Sequence, residues 1–262
     1  MERGLLLEEL AAATGFELRS LSRDAVERAV RRRIQEVGGG FEEYLGMLRT
    51  RAGEAALLSH RIFLNYTAFF RDESHWRYFA GHVVPMLDGV SEARPLRIWS
   101  AGCASGEEPY TLAMVMAEAF GARLLRDRVT ILATDIDEEA LEYAERASFT
   151  EDEVSGVITR RRRRYLIRQR ERFAIHPDLK AAVRFELHDL AVDPPPPHLD
   201  VIVCRHTLMY FDADTQASIL AGFSTSLGTG RVLFLEATDG LAGHEDAFAL
   251  LFPAHPIFVR VG

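Results

Sequence analysis

Cysteine is nearly absent: Cys103 and Cys204 are the two in 262 residues. That rules out a disulfide framework, and neither has a second cysteine near it to start a zinc site. A reducing compartment, the cytoplasm, is therefore the expected location. No apolar run reaches membrane-spanning length. Met1-Glu2-Arg3-Gly4 leads into an acidic stretch rather than a secretory signal. Membrane insertion is not expected. Internal repeats are missing, and the prolines at 194–197 form the one low-complexity patch. Nothing reads as a metal constellation or as an ordered Ser, His and Asp set. Positive charge is outweighed, with a net charge of −8 at pH 7, which speaks against a general nucleic-acid binder. What is left is ordinary for a globular chain, 48% hydrophobic and 27% charged. The length suffices for one large or two modest domains.

The most informative stretch is LRIWSAGCASGEEPY, residues 96–110. An apolar run gives way to small residues around Gly102, then to Gly106, Glu107, Glu108 and Pro109, and an apolar helix-like run follows. The pattern predicts a buried strand, a tight turn and a helix N-terminus. Small residues let a ligand approach the backbone, and an open helix end offers unpaired N–H groups. The acidic pair would repel a phosphate, and the Lys-Ser/Thr ending of a P-loop is missing. A cationic or hydroxyl-bearing ligand suits the turn better. An ordinary βα turn, with glutamates favoured by the helix dipole, is the plainer alternative.

Residues 1–90 read as a helical domain with its linker, and residues 91–262 as a second domain. In the first, Val26, Ala29, Val30, Ile34 and Val37 form an apolar stripe at helical spacing. Arg28, Arg31 and Arg32 fall on the other side, as a solvated face or a docking surface for an acidic partner helix. Gly38-Gly39-Gly40 ends that helix, and 41–48 and 54–70 read as further helices. NYTAFFRD, residues 65–72, closes the helical part and sits at the junction with the sheet, a favoured place for a site. Beyond it, strands are expected at 96–101, 129–134, 183–187, 199–204, 231–235 and 257–261. Helices are expected at 109–119, 138–146 and 214–227. Alternation of this kind implies a mostly parallel sheet with helices on both faces. Asp135 ends the second strand, where a carboxylate accepts hydrogen bonds from a ribose; Asp137 reads as an N-cap. About residues 160–187, the basic run Arg160 to Arg164 with Arg168, Arg170 and Arg172 is expected to form a helix. A small hairpin is expected across 173–185. Arg205, His206 and Tyr210 follow the strand at 199–204 on the same sheet edge as Gly102 and Asp135.

A small-residue turn with carboxylates, a ribose-type acid and a tyrosine suit S-adenosylmethionine. Its sulfonium is a cation that carboxylates and an aromatic face can hold. Methyl transfer is an in-line displacement that asks the protein mainly for position and a dry site. A carboxylate acceptor is already ionised at neutral pH, with a free glutamate pKa of about 4.3, so no general base is required. Arg71 would steer such a carboxylate by paired hydrogen bonds.

The stretches NYTAFFRD, IWSAGCASGEEPYTLA, ATDIDEEALEYA and VIVCRHTLMYFD, in that order and spacing, resemble the CheR family of chemotaxis receptor glutamate O-methyltransferases. RDAVERAVRRRIQEVGGGFEEYLGML resembles the family's N-terminal basic helix and its sequel, so the likeness covers nearly the whole chain. It implies an α/β fold: a Rossmann-like class I methyltransferase domain, a small N-terminal α-helical domain and a short β-subdomain insertion. It also implies transfer of a methyl group from S-adenosylmethionine to receptor glutamates, leaving S-adenosylhomocysteine. By motif match, Asn65, Thr67 and Arg71 border cofactor and substrate. Gly102 and Glu108 meet the cofactor, Glu108 at its methionine part in preference to Glu107. Asp135 takes the ribose, and Asp189 and Leu190 lie beside the adenine. Arg71, Arg205 and Tyr210 stand nearest the reacting centre. His206 and Asp189 occupy positions where the family usually has Asn. Arg28, Arg31 and Arg32 would face acidic helices of chemoreceptor cytoplasmic domains or of a related signalling protein, with the enzyme a monomer. Two other readings stay open: a methyltransferase for a non-receptor acceptor such as RNA, and a regulatory module that binds S-adenosylmethionine or its product without turnover.

Overall fold

The structure is a computed structural model that describes residues 10, 23–51, 53–55, 57–58, 67–236 and 239–262. Helix α1 (Arg23–Val37) forms on the expected stripe: Val26, Ala29 and Val30 are buried, with Ile34 and Val37 packed at the margin. It stops where Gly38 and Gly39 adopt left-handed angles, φ +79° and +94°, which cost glycine little. Helix α2 (Phe41–Thr50) starts where the Glu43 carboxylate reaches back to accept the Gly40 N–H at 2.8 Å, and buries Tyr44, Leu45 and Leu48. Arg33 turns inward from α1 and forks onto Glu54, with Nε–Oε1 at 2.7 Å and Nη2–Oε2 at 3.0 Å. The Glu54 side chain is fully buried.

The helix expected across 54–70 does not reach its end. Residues 67–70 are turn and coil, because Phe70 and Asp72 take left-handed angles that an α-helix cannot contain. Helicity resumes after that break, so residues 67–72 interrupt the helical part rather than closing it. Helix α3 (Glu73–Tyr78), a π-helical turn (Phe79–Val83) and α4 (Val84–Ala93) follow.

Then comes the alternating part: β1 (Leu96–Ala101), α5 (Glu107–Phe120), α6 (Leu125–Arg128), β2 (Val129–Asp135), α7 (Glu138–Arg146) and β3 (Ser148–Thr150). After these come α8 (Thr159–Tyr165), β4 (Leu166–Gln169), β5 (Arg172–Ile175), α9 (Pro177–Lys180), β6 (Val183–Leu187) and β7 (Leu199–Val203). The chain closes with α10 (Ala213–Ser226), β8 (Leu227–Phe234), β9 (Phe248–Phe252) and β10 (His255–Arg260). The main sheet has the order β6-β2-β1-β7-β8-β10-β9. Its first five strands are parallel, and β10 runs antiparallel to both β8 and β9. The reversal of strand order between β1 and β7 opens the crevice where ligands bind in such sheets.

Alternate residues of each strand serve opposite faces. Ile98, Val201, Val203 and Phe234 join a core with α5 and with Trp76, Phe79 and Val83. Trp99, Ala101, Ile202 and Leu233 join another with Ile219 and Phe223 of α10 and with the α1 and α2 stripe. Asp200, its side chain fully buried, ties the lower sheet: Arg94 donates to both its oxygens at 2.7 and 2.8 Å, and the Arg97 N–H at 2.9 Å.

A second sheet, order β3-β5-β4, is antiparallel and separate. The hairpin expected across 173–185 is thus displaced: β4 and β5 form it, and β6 belongs to the main sheet beside β2. The two-residue turn Arg170-Glu171, with Arg170 at φ +55°, supplies the reversal. Strand β9 was not anticipated; its burial is one-ended and lacks clear alternation.

Candidate functional site

The turn between β1 and α5 is bound to the end of β2. Gly102 and Cys103 both donate N–H to the Thr134 carbonyl, at 2.8 and 2.9 Å. Ala104 donates to Asp135 Oδ2 at 2.8 Å, and Asp137 to Asp135 Oδ1 at 3.0 Å. Two glycines make the path available. Gly102 has φ +81°, and a Cβ there would run into the Thr207 side chain; at Gly106, φ +96°, it would sit 2.7 Å from Ala144 Cβ. Asp135 is buried, which pushes its carboxyl upward, while the hydrogen bond from Ala104 draws it back. Asp137 caps α7, accepting from Ala140 N–H at 3.1 Å.

The two adjacent glutamates diverge. Glu107 is buried and accepts from Ser105 Oγ at 2.8 Å; burial raises its pKa. Glu108 accepts from Ser100 Oγ at 2.8 Å. Burial raises its pKa too, but Arg205, the Ser100 hydrogen bond, His206 and Arg71 all act in the opposite sense. The two glutamates thus take different hydroxyl donors, Ser105 for Glu107 and Ser100 for Glu108.

Beyond β7 stands a network that sequence reading saw in part. Arg205 is buried and donates from Nη1 to the Arg71 carbonyl at 3.0 Å. Its Nη2 donates to Asp72 Oδ2 at 2.7 Å and to Glu236 Oε2 at 2.9 Å. Its guanidinium also lies over Phe234 and Trp76, 5.0 and 5.7 Å from the ring centroids. His206 Nε2 sits 3.3 Å from Asp72 Oδ2 and 2.9 Å from Glu236 Oε2. Asp72, His206 and Glu236 bring ligand-type atoms within 4.8 Å of one another. Arg205 already supplies the positive charge between the two carboxylates, so the group is an ion-pair network tying 71–72 to the ends of β7 and β8. His206 has φ +58°, a region in which Asn and His are enriched, so histidine keeps the backbone that Asn would favour. Asp72, Glu236 and Ser100 were not singled out beforehand. Glu236, an acid directly after the buried apolar run of β8, carried the one local signal.

The remaining candidates are placed as follows. Arg71 and Thr67 are half-buried in the non-helical segment before α3. Asn65 lies outside the described residues, as does the side chain of Arg28. Tyr210 is half-buried on a 3₁₀ turn (Leu208–Tyr210) after β7. Asp189 works within its own turn, Oδ1 accepting the Ala191 N–H at 2.9 Å, and Leu190 packs against the second core. Arg31 and Arg32 are exposed on α1, Arg31 beside Glu27 at 3.2 Å.

A site with this donor set fits S-adenosylmethionine. The glycine turn packs against Thr207, the Asp135 carboxylate ends β2, and Glu108, held by Ser100, offers an acceptor in the crevice. Among the described residues no helix is long and apolar enough to cross a membrane.

The sequence matches the family described as CheR methyltransferase, SAM binding domain, over residues 65–255. A chemotaxis protein methyltransferase of Listeria innocua is 35% identical over 185 residues, 71% of this chain and 69% of that protein. The one from Escherichia coli is 30% identical over 250 residues, 90% of this chain and 81% of that protein. A 104.1 kDa protein of Rhodobacter capsulatus is 30% identical over 258 residues, 97% of this chain but 27% of its own length, so the chain spans about a quarter of that relative. The chain belongs to the CheR methyltransferase family and carries its S-adenosylmethionine-binding domain.

Proposed function

We propose that this protein transfers a methyl group from S-adenosylmethionine to glutamate side chains on acidic helices of chemoreceptor cytoplasmic domains or a related signalling protein, acting as a monomer in the cytoplasm. The observation that carries the reading is the β1–α5 turn at the β1–β7 crevice, where Glu108 is held by Ser100 and the Asp135 carboxylate stands at the end of β2. Such a place suits an ammonium-bearing cofactor end next to an arginine that receives a carboxylate. Bound S-adenosylmethionine supplies an electrophilic methyl group. Glu108 would accept hydrogen bonds from its amino group, and Asp135 from its ribose hydroxyls. Gly102 meets the cofactor through its backbone, with Thr67 and, by motif match, Asn65 bordering cofactor and acceptor, and Asp189 and Leu190 along the adenine.

Arg71 orients the acceptor carboxylate through its forked donors. It should steer without clamping, because a tightly bound carboxylate is a poorer nucleophile. Arg205 works one layer back, holding the Arg71 carbonyl and Asp72, and Tyr210 borders the reacting atoms. The acceptor needs no deprotonation, since a glutamate is ionised well above a pKa of about 4.3. Arg31 and Arg32, with Arg28, receive the acidic helix. Methyl-tritiated S-adenosylmethionine and a chemoreceptor cytoplasmic fragment should give label that mild alkali releases. Alkali-stable label, or none, would refute the glutamate reading.

A further inference from the structure

The segment that carries Arg71 is held in an uncommon shape. Phe70 and Asp72, on either side of it, have φ of +54° and +59°. Bulky residues seldom adopt that region, and they stay there where their surroundings over-determine them. Two of the restraints come from the main domain. Arg205 grips the Arg71 carbonyl and Asp72, and Thr111 Oγ1 accepts the Phe70 N–H at 3.1 Å. A third comes from the arginine-rich helix α8. The Arg161 guanidinium lies 4.0 Å from the centroid of the Phe70 ring. Glu118 of α5 fixes it there, accepting from Nε at 3.0 Å and from Nη2 at 2.9 Å. The Arg161 side chain is 12% exposed, unlike a solvated surface arginine. Alongside, Gly156 approaches Phe69 so closely that a Cβ would sit 2.6 Å from the Phe69 carbonyl oxygen.

We propose that Arg161 is a positioning residue for methyl transfer: stacked on Phe70 and anchored by Glu118, it keeps residues 70–72 in the shape that presents Arg71. The inference rests on the reading that Arg71 orients the acceptor carboxylate. A guanidinium can sit over the ring and fork onto the carboxylate at once; an ammonium is a compact point charge that cannot reproduce the two-pronged contact. A displacement of about 1 Å at an orienting group costs on the order of a hundredfold in rate, so a restraint one residue away from Arg71 matters.

The test uses the full chain, methyl-tritiated S-adenosylmethionine and a chemoreceptor cytoplasmic fragment. Arg161→Ala should lower kcat by about tenfold to a hundredfold, with S-adenosylhomocysteine affinity within about twofold and the melting temperature lowered by no more than about 6 °C. Arg161→Lys should recover part of the loss, and Glu118→Gln should show a smaller loss of the same kind. Amide hydrogen exchange at 70–72 should quicken in Arg161→Ala. Arg71→Ala should abolish transfer, and adding Arg161→Ala to it should change nothing more. If Arg71→Ala leaves transfer intact, the reading of Arg71 fails. If Arg71→Ala abolishes transfer while Arg161→Ala keeps wild-type kcat and exchange, the positioning proposal fails. Equal losses of kcat, cofactor affinity and melting temperature in Arg161→Ala would also overturn it.

Discussion

Helices α1 and α8 each carry a run of consecutive arginines, and they use arginine differently. On α1, Arg31 and Arg32 face solvent, while Arg33 turns in to the buried Glu54. On α8 the division runs through a tighter row. Arg161 and Arg162 are built into the protein, the first on Phe70 and Glu118, the second on the carbonyls of Val154 and Val157 and on Glu151. Arg160, Arg163 and Arg164 remain exposed. A run of five arginines is therefore not one feature. Helical geometry sends consecutive residues to different sides, and the side decides whether a guanidinium is a structural fork or a free charge.

The largest effect should come from the inward member of α1. Glu54→Ala takes away the buried fork and leaves Arg33 with Glu36 alone, which should cost about 3 kcal/mol in urea unfolding. The same pair has a pH signature. The double hydrogen bond from Arg33 holds Glu54 below the usual carboxylate range. Its contribution is therefore fully present above the unfolded pKa of about 4.3 and is lost as pH falls through the lower folded value. Glu54→Gln should flatten that part of the acid unfolding curve; an unchanged acid limb would remove Glu54 from the explanation.

Next in size is the inward member of α8. Arg162→Ala strips donors from two backbone carbonyls and should cost about 1–3 kcal/mol, read by the same unfolding experiment. A loss near zero would mean that water replaces both bonds. A smaller, purely functional effect is expected on the outward side of α1. Arg31→Gln with Arg32→Gln should raise the KM for a chemoreceptor fragment by about tenfold, close to 1.4 kcal/mol, leaving kcat alone and stability within about 0.5 kcal/mol. Smallest of all, Arg163→Ala should move stability by no more than about 0.5 kcal/mol. A fall in receptor-fragment affinity in Arg163→Ala would place docking on both helices and erase half of the contrast.

The parts legible in the sequence were those with local causes. The glycine turn, the Asp137 cap, the end of α1 at Gly38 and the helix at 138–146 all follow from neighbours a few residues apart. So do the five parallel strands, whose apolar runs are short and bounded by turn residues. What was missed depends on distant partners. Residues 67–72 are pulled out of helix by Thr111 and Arg205, and nothing within the segment announces it. The displaced hairpin arises because β6 finds β2, while the basic run continues from helix straight into strand. Glu107 and Glu108 are equivalent as letters; the family resemblance alone prefers Glu108, and in the structure the first turn of α5 gives them different partners, Ser105 and Ser100.

The bond between Arg205 and Asp72 spans 133 residues of chain. A ribosome adding about 5–20 residues each second releases Asp72 on the order of ten seconds before Arg205. Through that interval the 70–72 segment has no anchor on β7, so the mount of Arg71 is completed only once Arg205 has emerged. A nascent chain stalled short of residue 205 would therefore carry Arg71 without the grip on its carbonyl.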